Sequence, residues 1–386
     1  MNNFITIILD GVGIGELPDA NLYNDEGSST LSNMALEVGG LDLPNLQKLG
    51  LGNINKILGV DPVNNPQASF GKMTELSKGK DSTTGHWEIG GLLVDFDFPY
   101  YPNGFSDEII EKFLKLTNIK GVLGNKAASG TEIIAELGYE HVMTGYPIVY
   151  TSADSVFQIA AHENVIPLDK LYEICKIARE KVFVGKDSVG RIIARPFIGE
   201  KGNYSRTTNR KDFSLNPPKP TILNFLSENK IKTIGVGKIN DLFNYSGIDV
   251  SIKTHSNDEG IDETVRAMKQ NYESFIFTNL VDFDVYYGHR NDSAGFAKAL
   301  KEFDSQLPKI LNSLDDTDAL ILTADHGNDP STPSTDHSRE YVPLLYYRKG
   351  LSTKNLGIRK TFSDVAQTIA HFFRVTNNLK GESFLH

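Results

Sequence analysis

Apolar residues in this chain fall into short unbroken runs separated by stretches of helical spacing. The run Phe4-Ile5-Thr6-Ile7-Ile8-Leu9 is rich in β-branched residues and stops at Asp10-Gly11-Val12-Gly13-Ile14-Gly15, which predicts a buried strand ending in a glycine-rich loop. Runs of the same character recur at 231–236, 275–280, 319–323 and 342–347. Strands without an alternating polar face belong to sheets covered on both sides. Between them, Phe296, Leu300, Phe303, Leu307, Ile310 and Leu314 step by four and three residues, one apolar helical stripe with a kink expected at Pro308. Strands alternating with helices predict an α/β fold on a doubly wound, mostly parallel sheet. The sequence has no internal repeat and no low-complexity segment.

The stretch 98–219 differs. It opens with Pro99-Tyr100-Tyr101-Pro102-Asn103-Gly104 and ends at Asn216-Pro217-Pro218-Lys219-Pro220, stiff punctuation of the kind found at domain boundaries. Helices are expected at 106–116, 131–137 and 168–179, and strands at 147–150 and 191–198. This predicts an α+β domain inserted into a core made of 1–97 and 220–386, able to hinge as a lid.

Composition narrows the class. Across 386 residues, 39% hydrophobic and 23% charged content is ordinary for a soluble globular enzyme. Lys and Arg number 39 against 49 Asp and Glu, a formal charge of −10, which argues against nonspecific nucleic-acid binding. The single cysteine, Cys175, excludes an internal disulfide, and its helical spacing with Leu171, Ile174 and Ala178 places it in a core. The first apolar run is too short for a signal peptide, and none approaches the roughly 20 residues of a membrane span. A cytoplasmic protein without nucleic-acid or membrane partners is the expectation; no protein partner is legible.

Candidate chemistry gathers where strands end. Thr323-Ala324-Asp325-His326-Gly327-Asn328-Asp329 follows the apolar run 319–322, so an Asp and a His stand together at a carboxyl edge, where open α/β sheets bind ligands. Carboxylate with imidazole suits Mn²⁺, Zn²⁺ or Mg²⁺; alone, the pair reads equally well as a solvated turn. Asp10 stands at the end of the first strand. The glycines after it run G-x-G-x-G rather than G-x-G-x-x-G, and Glu16-Leu17-Pro18 does not continue as a phosphate-binding helix, which disfavours a dinucleotide site.

In Lys80-Asp81-Ser82-Thr83-Thr84-Gly85-His86-Trp87-Glu88 three hydroxyls precede a helix-like segment. They serve either as a helix cap, with Thr84 and Glu88 loosely in capping positions, or as a hydroxyl that carries a phosphoryl group at a helix N-terminus. A third cluster, Asn279-Leu280-Val281-Asp282-Phe283-Asp284-Val285-Tyr286-Tyr287-Gly288-His289-Arg290, begins as the end of the run 275–280, and a fourth, Thr335-Asp336-His337-Ser338-Arg339-Glu340, directly precedes 342–347. Together they bring carboxylates, imidazoles and a hydroxyl to one rim, the components of a two-metal phosphoryl-transfer site.

These motifs resemble those of the prokaryotic phosphopentomutases of the alkaline phosphatase superfamily, and the resemblance runs essentially from end to end. It is carried by the Asp10 to Glu16 loop, the Gly79 to Ile89 cluster, Asn125-Lys126-Ala127-Ala128-Ser129-Gly130-Thr131-Glu132, Tyr150-Thr151-Ser152-Ala153-Asp154-Ser155-Val156, Gly190-Arg191-Ile192-Ile193-Ala194-Arg195-Pro196-Phe197, and the last two clusters. It implies an alkaline-phosphatase-like core with a cap, and interconversion of ribose (or 2-deoxyribose) 1-phosphate and 5-phosphate in nucleoside catabolism. It further implies a phosphorylated enzyme, two divalent ions (Mn²⁺ foremost) and an activating sugar bisphosphate, glucose 1,6-bisphosphate or ribose 1,5-bisphosphate.

Carried over residue by residue, the resemblance implies one metal on Asp10, Ser82, Asp325 and His326, and a second on Asp284, His289 and His337. Asp284 is chosen over Asp282 because the family ligand stands five residues before the His. Sugar-phosphate recognition would fall to Ser152, Asp154, Arg191 and Arg206, with Lys238 facing the site from the core. One departure stands out: the family nucleophile is usually a Thr directly after Lys-Asp, whereas here Ser82 follows Asp81 and Thr83 is its rival. A metal-dependent phosphomonoesterase and a metal-dependent phosphoglycerate mutase are the alternatives of like chemistry, the latter usually with a longer insert and a shorter Asp-to-His spacing. A sulfatase lacks its modified-residue context here. A non-catalytic metal-binding protein is the alternative of another class.

Overall fold

The computed structural model describes residues 2–95, 99–152 and 155–385. The chain divides into two compact units, Met1–Phe96 with Pro217–His386, and Asp97–Asn216. The first is built on an eight-stranded sheet in the order Val250–Ile252, Lys232–Val236, Ser274–Leu280, Asn3–Leu9, Ala319–Thr323, Val342–Tyr347, Ser69–Met73, Asn355–Arg359. The first five strands are mutually parallel, and only Val342–Tyr347 runs against its neighbours.

Every residue of Asn3–Leu9, Ser274–Leu280 and Ala319–Thr323 is buried, as their uninterrupted apolar character requires. Each fully buried large aliphatic or Phe side chain contributes about 1.5–3 kcal/mol. Successive side chains of a strand point to opposite faces. Thr278 Oγ1 meets Thr264 Oγ1 of the helix Asn257–Met268 at 2.7 Å, while the ring of adjacent Phe277 lies 5.7 Å from the His86 ring of the helix Ser82–Ile89. Helices therefore flank the sheet on both faces, the doubly wound arrangement. The helix Ser293–Ser313 runs through Pro308 without interruption.

In this sheet the strands absent from the sequence reading are Ser69–Met73, Val250–Ile252 and Asn355–Arg359; in the second unit they are Leu123–Ala127, Val156–His162, Asn203–Arg206 and Lys211–Ser214. The first three lie at or next to the sheet edges, are partly exposed, and carry Gly, Lys, Ser and Asn rather than an apolar run.

The second unit holds a mixed sheet in the order Leu123–Ala127, Ile148–Thr151, Val156–His162, Arg191–Glu200, Asn203–Arg206, with Lys211–Ser214 pairing the first half of Arg191–Glu200. Phe157, Ile159 and Ala194 on one face pack with residues of Asp107–Thr117 and Leu168–Ile177; Tyr150 and Ala160 on the other meet Ile133 and Ile134 of Gly130–Thr144. Cys175 is buried in the first of these clusters, and burial pushes its thiol pKa up, so it is a core residue. Among the described residues, no helix is long and apolar enough to cross a membrane.

Candidate active site and metal centre

Three strands that are neighbours in the sheet bring the acidic candidate ligands together. In register, Leu9 pairs with Leu280 and Ile8 with Thr323, so Asp10, Asp284 and Asp325 leave the sheet at adjacent carboxyl ends. The helix Ser82–Ile89 docks beside them. Asp81 caps it, its Oδ1 accepting from the N–H groups of Thr83 (3.0 Å) and Thr84 (3.2 Å), while Oδ2 takes the Thr84 hydroxyl at 2.6 Å.

The hydroxyl cluster is thus not the cap itself. Ser82, first in the helix, is left with Oγ 3.1 Å from His326 Nε2, whereas Thr83 bonds through its backbone N–H. Glu88 does not reach back to the helix start. It is buried and accepts from Leu76 N, Ser77 N, Phe362 N and the Thr361 hydroxyl. Gly85 makes the docking possible, because a Cβ there would collide with the Asp325 carbonyl.

Around Ser82 the side chains form two groups whose ligand atoms lie within 4.8 Å of one another: Asp10, Asp325 and His326; and Asp284, His326 and His337. His326 Nε2 is 3.4 Å from Asp10 Oδ1 and 3.3 Å from Asp325 Oδ2. Asp284 stands between two imidazoles, Oδ2 at 3.2 Å from His289 Nε2 and Oδ1 at 3.4 Å from His337 Nε2. The resemblance divides these residues differently, giving His326 to one site and His289 to the other. In the structure the His326 and His337 rings lie 3.9 Å apart, so His326 belongs to both groups, and His289 joins through Asp284 and through the His337 ring, 4.8 Å away. Asp282 faces elsewhere, with Oδ2 accepting from Asn257 N at 2.8 Å.

The electrostatics are those of a cation cradle. Burial, then the charges of Asp325 and Asp284, raises the Asp10 pKa to about 6. Burial also pushes Asp325 up, but the imidazoles of His326 and His86 outweigh it and hold it at about 2. Burial likewise opposes ionisation of Asp284, and His337 and His289 overcome it, leaving its pKa well below the usual range. The hydrogen bond to Asp284 is the main cause of the rise of His289 to about 9.

Asp10 Oδ1 and His337 Nε2 are buried without a hydrogen-bond partner, a cost that native proteins retain where an ion or ligand supplies the partner, while Asp325 Oδ2 lies 3.0 Å from His86 Nδ1. Carboxylate oxygen and imidazole nitrogen suit divalent Mn, Zn or Mg. The residues present fit the metals the resemblance implies.

Three residues were not singled out in the sequence. Asn279 Nδ2 donates to Asp10 Oδ2 at 2.9 Å, Asn328 Nδ2 to Asp284 Oδ1 at 2.7 Å, and His86 Nδ1 bonds the Ser82 carbonyl at 2.8 Å. His86 Nε2 is also 3.2 Å from Asn279 Nδ2. These groups fix the candidate ligands and the Ser82 turn. The available signal was that His86, Asn279 and Asn328 lie inside the same motifs as the ligands.

Glu340 connects the loops that carry them. It accepts from Gly15 N (3.1 Å), Thr30 N (2.9 Å), the Thr30 hydroxyl (2.8 Å) and the Ser338 hydroxyl (2.7 Å), and burial raises its pKa to about 7.

The remaining candidates are placed as follows. Lys238 follows the strand Lys232–Val236, and its charge lowers the Asp10 pKa, so its field acts on the site. Arg191 opens the strand Arg191–Glu200 of the second unit, 3.8 Å from Asp212 Oδ2; Arg206 ends Asn203–Arg206 there and is exposed; Ser152 follows Ile148–Thr151. Asp154 lies outside the described residues.

Residues 2–377 match the model of the metalloenzyme superfamily. A protein of Acetivibrio thermocellus named phosphopentomutase is 58% identical over 100% of this chain and 99% of its own length. Another of that name from Dictyoglomus turgidum is 60% identical over 100% and 98%. Among solved structures, PH0037 from Pyrococcus horikoshii has TM-score 0.50 at 16% identity, covering 98% of both chains. The phosphoglycerate mutase of Leishmania mexicana has TM-score 0.51 at 12% identity, covering 98% of this chain and 97% of that one. At such identities the two structures bear on the fold alone, which they share.

Proposed function

This chain belongs to the phosphopentomutase family of the metalloenzyme superfamily and is accordingly an isomerase, and from that premise we propose how its residues divide the reaction. Ser82 carries the phosphoryl group. Phosphorylated Ser82 gives its phosphoryl to the free hydroxyl of ribose 5-phosphate or its 2-deoxy counterpart, forming a 1,5-bisphosphate; the bisphosphate returns its other phosphoryl to Ser82 and leaves the 1-phosphate.

The observation that carries this assignment is the Ser82 hydroxyl, 3.1 Å from His326, the residue common to both ligand groups. Asp10, Asp325, His326, Asp284, His289 and His337 would hold two divalent ions, Mn²⁺ by preference. When bound, these would lower the Ser82 hydroxyl pKa and neutralise the oxygens of the transferring group. Lys238 adds positive charge at the same place, and positioning with electrostatics supplies most of the catalysis. Asn279 and Asn328 orient the carboxylates.

Retaining the phosphoryl group requires excluding water. We assign that task, and the grip on the substrate phosphate, to the inserted unit with Ser152, Asp154, Arg191 and Arg206. Glucose 1,6-bisphosphate or ribose 1,5-bisphosphate would prime Ser82, in a cytoplasmic enzyme of nucleoside catabolism. Intact-mass analysis after incubation with Mn²⁺ and glucose 1,6-bisphosphate tests the assignment: one added phosphoryl in the native chain and none in Ser82→Ala. A phosphorylated Ser82→Ala chain would contradict it.

A further inference from the structure

The segment that leads into Ser82 has no regular structure of its own. Between the strand Ser69–Met73 and the helix Ser82–Ile89, residues 74–81 form neither strand nor helix, so their backbone groups need partners from elsewhere. Glu88 supplies the acceptors, taking the N–H groups of Leu76 and Ser77. The donors come from a residue with no part in the site above, Arg339, two positions after His337.

Arg339 is 3% exposed. Its Nη1 lies 2.8 Å from the Ser77 carbonyl, 2.7 Å from the Gly79 carbonyl and 2.8 Å from Glu75 Oε2. Nη2 donates to the Glu75 carbonyl at 3.0 Å and to Asp19 Oδ2 at 3.1 Å. The guanidinium carbon stands 4.9 Å from the centre of the Tyr23 ring, and the Tyr23 hydroxyl donates to the Lys78 carbonyl at 2.6 Å. The carbonyls of three consecutive residues, 77 to 79, are thus each held by a side chain. Gly79 packs so closely on the helix start that a Cβ there would collide with the Thr84 hydroxyl.

The backbone of Arg339 makes a second tie. Its N–H donates to Asp25 Oδ2 at 2.9 Å, and the same oxygen accepts from Lys80 Nζ at 2.9 Å. Burying a guanidinium is costly, and apolar side chains would cover a loop as well. What the planar fork adds is direction, since its donors fix several acceptors at once in one geometry.

We propose that Arg339 is a positioning residue for phosphoryl transfer. It sets the segment 77–80, and through it the Ser82 hydroxyl, against the loop that carries His337. None of its hydrogen bonds above ends on Ser82 or on a candidate metal ligand. This deepens the function proposed above and rests on it for Ser82 as the phosphoryl carrier.

The test compares the native full-length chain with Arg339→Lys, which keeps the charge and loses the fork, and with Tyr23→Phe, which removes one hydroxyl. Mn²⁺-loaded protein is mixed with glucose 1,6-bisphosphate, and phosphoenzyme formation is timed by intact mass, per folded molecule as fixed by circular dichroism. Steady-state constants for ribose 5-phosphate and Mn²⁺ affinity are measured beside it. Phosphoenzyme formation and kcat should fall about 100-fold in Arg339→Lys and about fivefold in Tyr23→Phe. KM and Mn²⁺ affinity should stay within about twofold of native. A role in stability alone gives a lower urea midpoint with native rates in the folded fraction, and that result would overturn the proposal. A loss carried by KM or by Mn²⁺ affinity would overturn it too. If Arg339→Lys does not fold, Tyr23→Phe decides, and a native rate there overturns the proposal. Failure of the mutase reading is distinguishable, since the native chain itself would then take up no phosphoryl group or make no ribose 1-phosphate.

Discussion

Asn279 and Asp10 stand 2.9 Å apart at the carboxyl ends of two hydrogen-bonded parallel strands, the amide donating to Asp10 Oδ2 while Oδ1 stays unpartnered. One oxygen is fixed and the other is presented. Asp325 is held at both oxygens: Oδ1 accepts from Gly11 N at 3.3 Å and Oδ2 lies 3.0 Å from His86 Nδ1.

Removing the amide should therefore weaken metal binding without unfolding the chain. Asn279→Ala is expected to lower Mn²⁺ affinity about 10- to 100-fold, measured by titration against a competing chelator. Unchanged affinity would mean the bond does not orient the ligand.

The choice of nucleophile separates two adjacent hydroxyls. Ser82→Ala should lower kcat by roughly four to six orders of magnitude, whereas Thr83→Ala should retain phosphoenzyme formation and most activity. Steady-state kinetics with intact mass on both variants decides between them; loss of the phosphoenzyme in Thr83→Ala alone would move the role to Thr83.

Protons should compete with metal at this site. Asp10 at about 6 and His289 at about 9 both lie above their ordinary values, so metal affinity should climb as pH rises from 5 to 9, with proton release on binding. Asp325, held at about 2, takes no part in that range. The metal-free protein should show the opposite trend. Groups raised in the folded state contribute stability that is complete below their unfolded pKa and is lost as pH passes the folded one. Asp10, His289 and Glu340, the last at about 7, all carry that sign. Melting of chelated protein across pH 5–9 checks this; a rising melting temperature would contradict it.

Glu340 satisfies donors from three separate segments, so Glu340→Ala leaves several of them buried and unpaired. A loss of about 2–4 kcal/mol is expected in urea unfolding.

Much of this was legible in the sequence because the relevant signals are local. Asn3–Leu9, Ser274–Leu280 and Ala319–Thr323 are apolar throughout, and their acidic residues follow directly, so both the central strands and the carboxyl-edge cluster could be read along the chain. The edge strand Asn355–Arg359 could not, since its pairing with Ser69–Met73 and not its own composition makes it a strand. The sharing of His326 between two groups was equally invisible: it depends on the approach of the His337 ring. Asn279 and His86 stand 193 positions apart in sequence, and only the fold shows that they touch. The cap reads from the three hydroxyls in the sequence, whereas in the structure Asp81 takes that place and Ser82 Oγ stands toward His326.

The central claim, phosphoryl transfer between two positions of one pentose and not to water, is tested most directly by product analysis. Mn²⁺-loaded protein primed with a catalytic amount of glucose 1,6-bisphosphate is incubated with ribose 5-phosphate, and ribose 1-phosphate is assayed beside free phosphate. Ribose 1-phosphate with negligible free phosphate is the predicted result; free phosphate without the isomer would contradict it and make the protein a phosphatase.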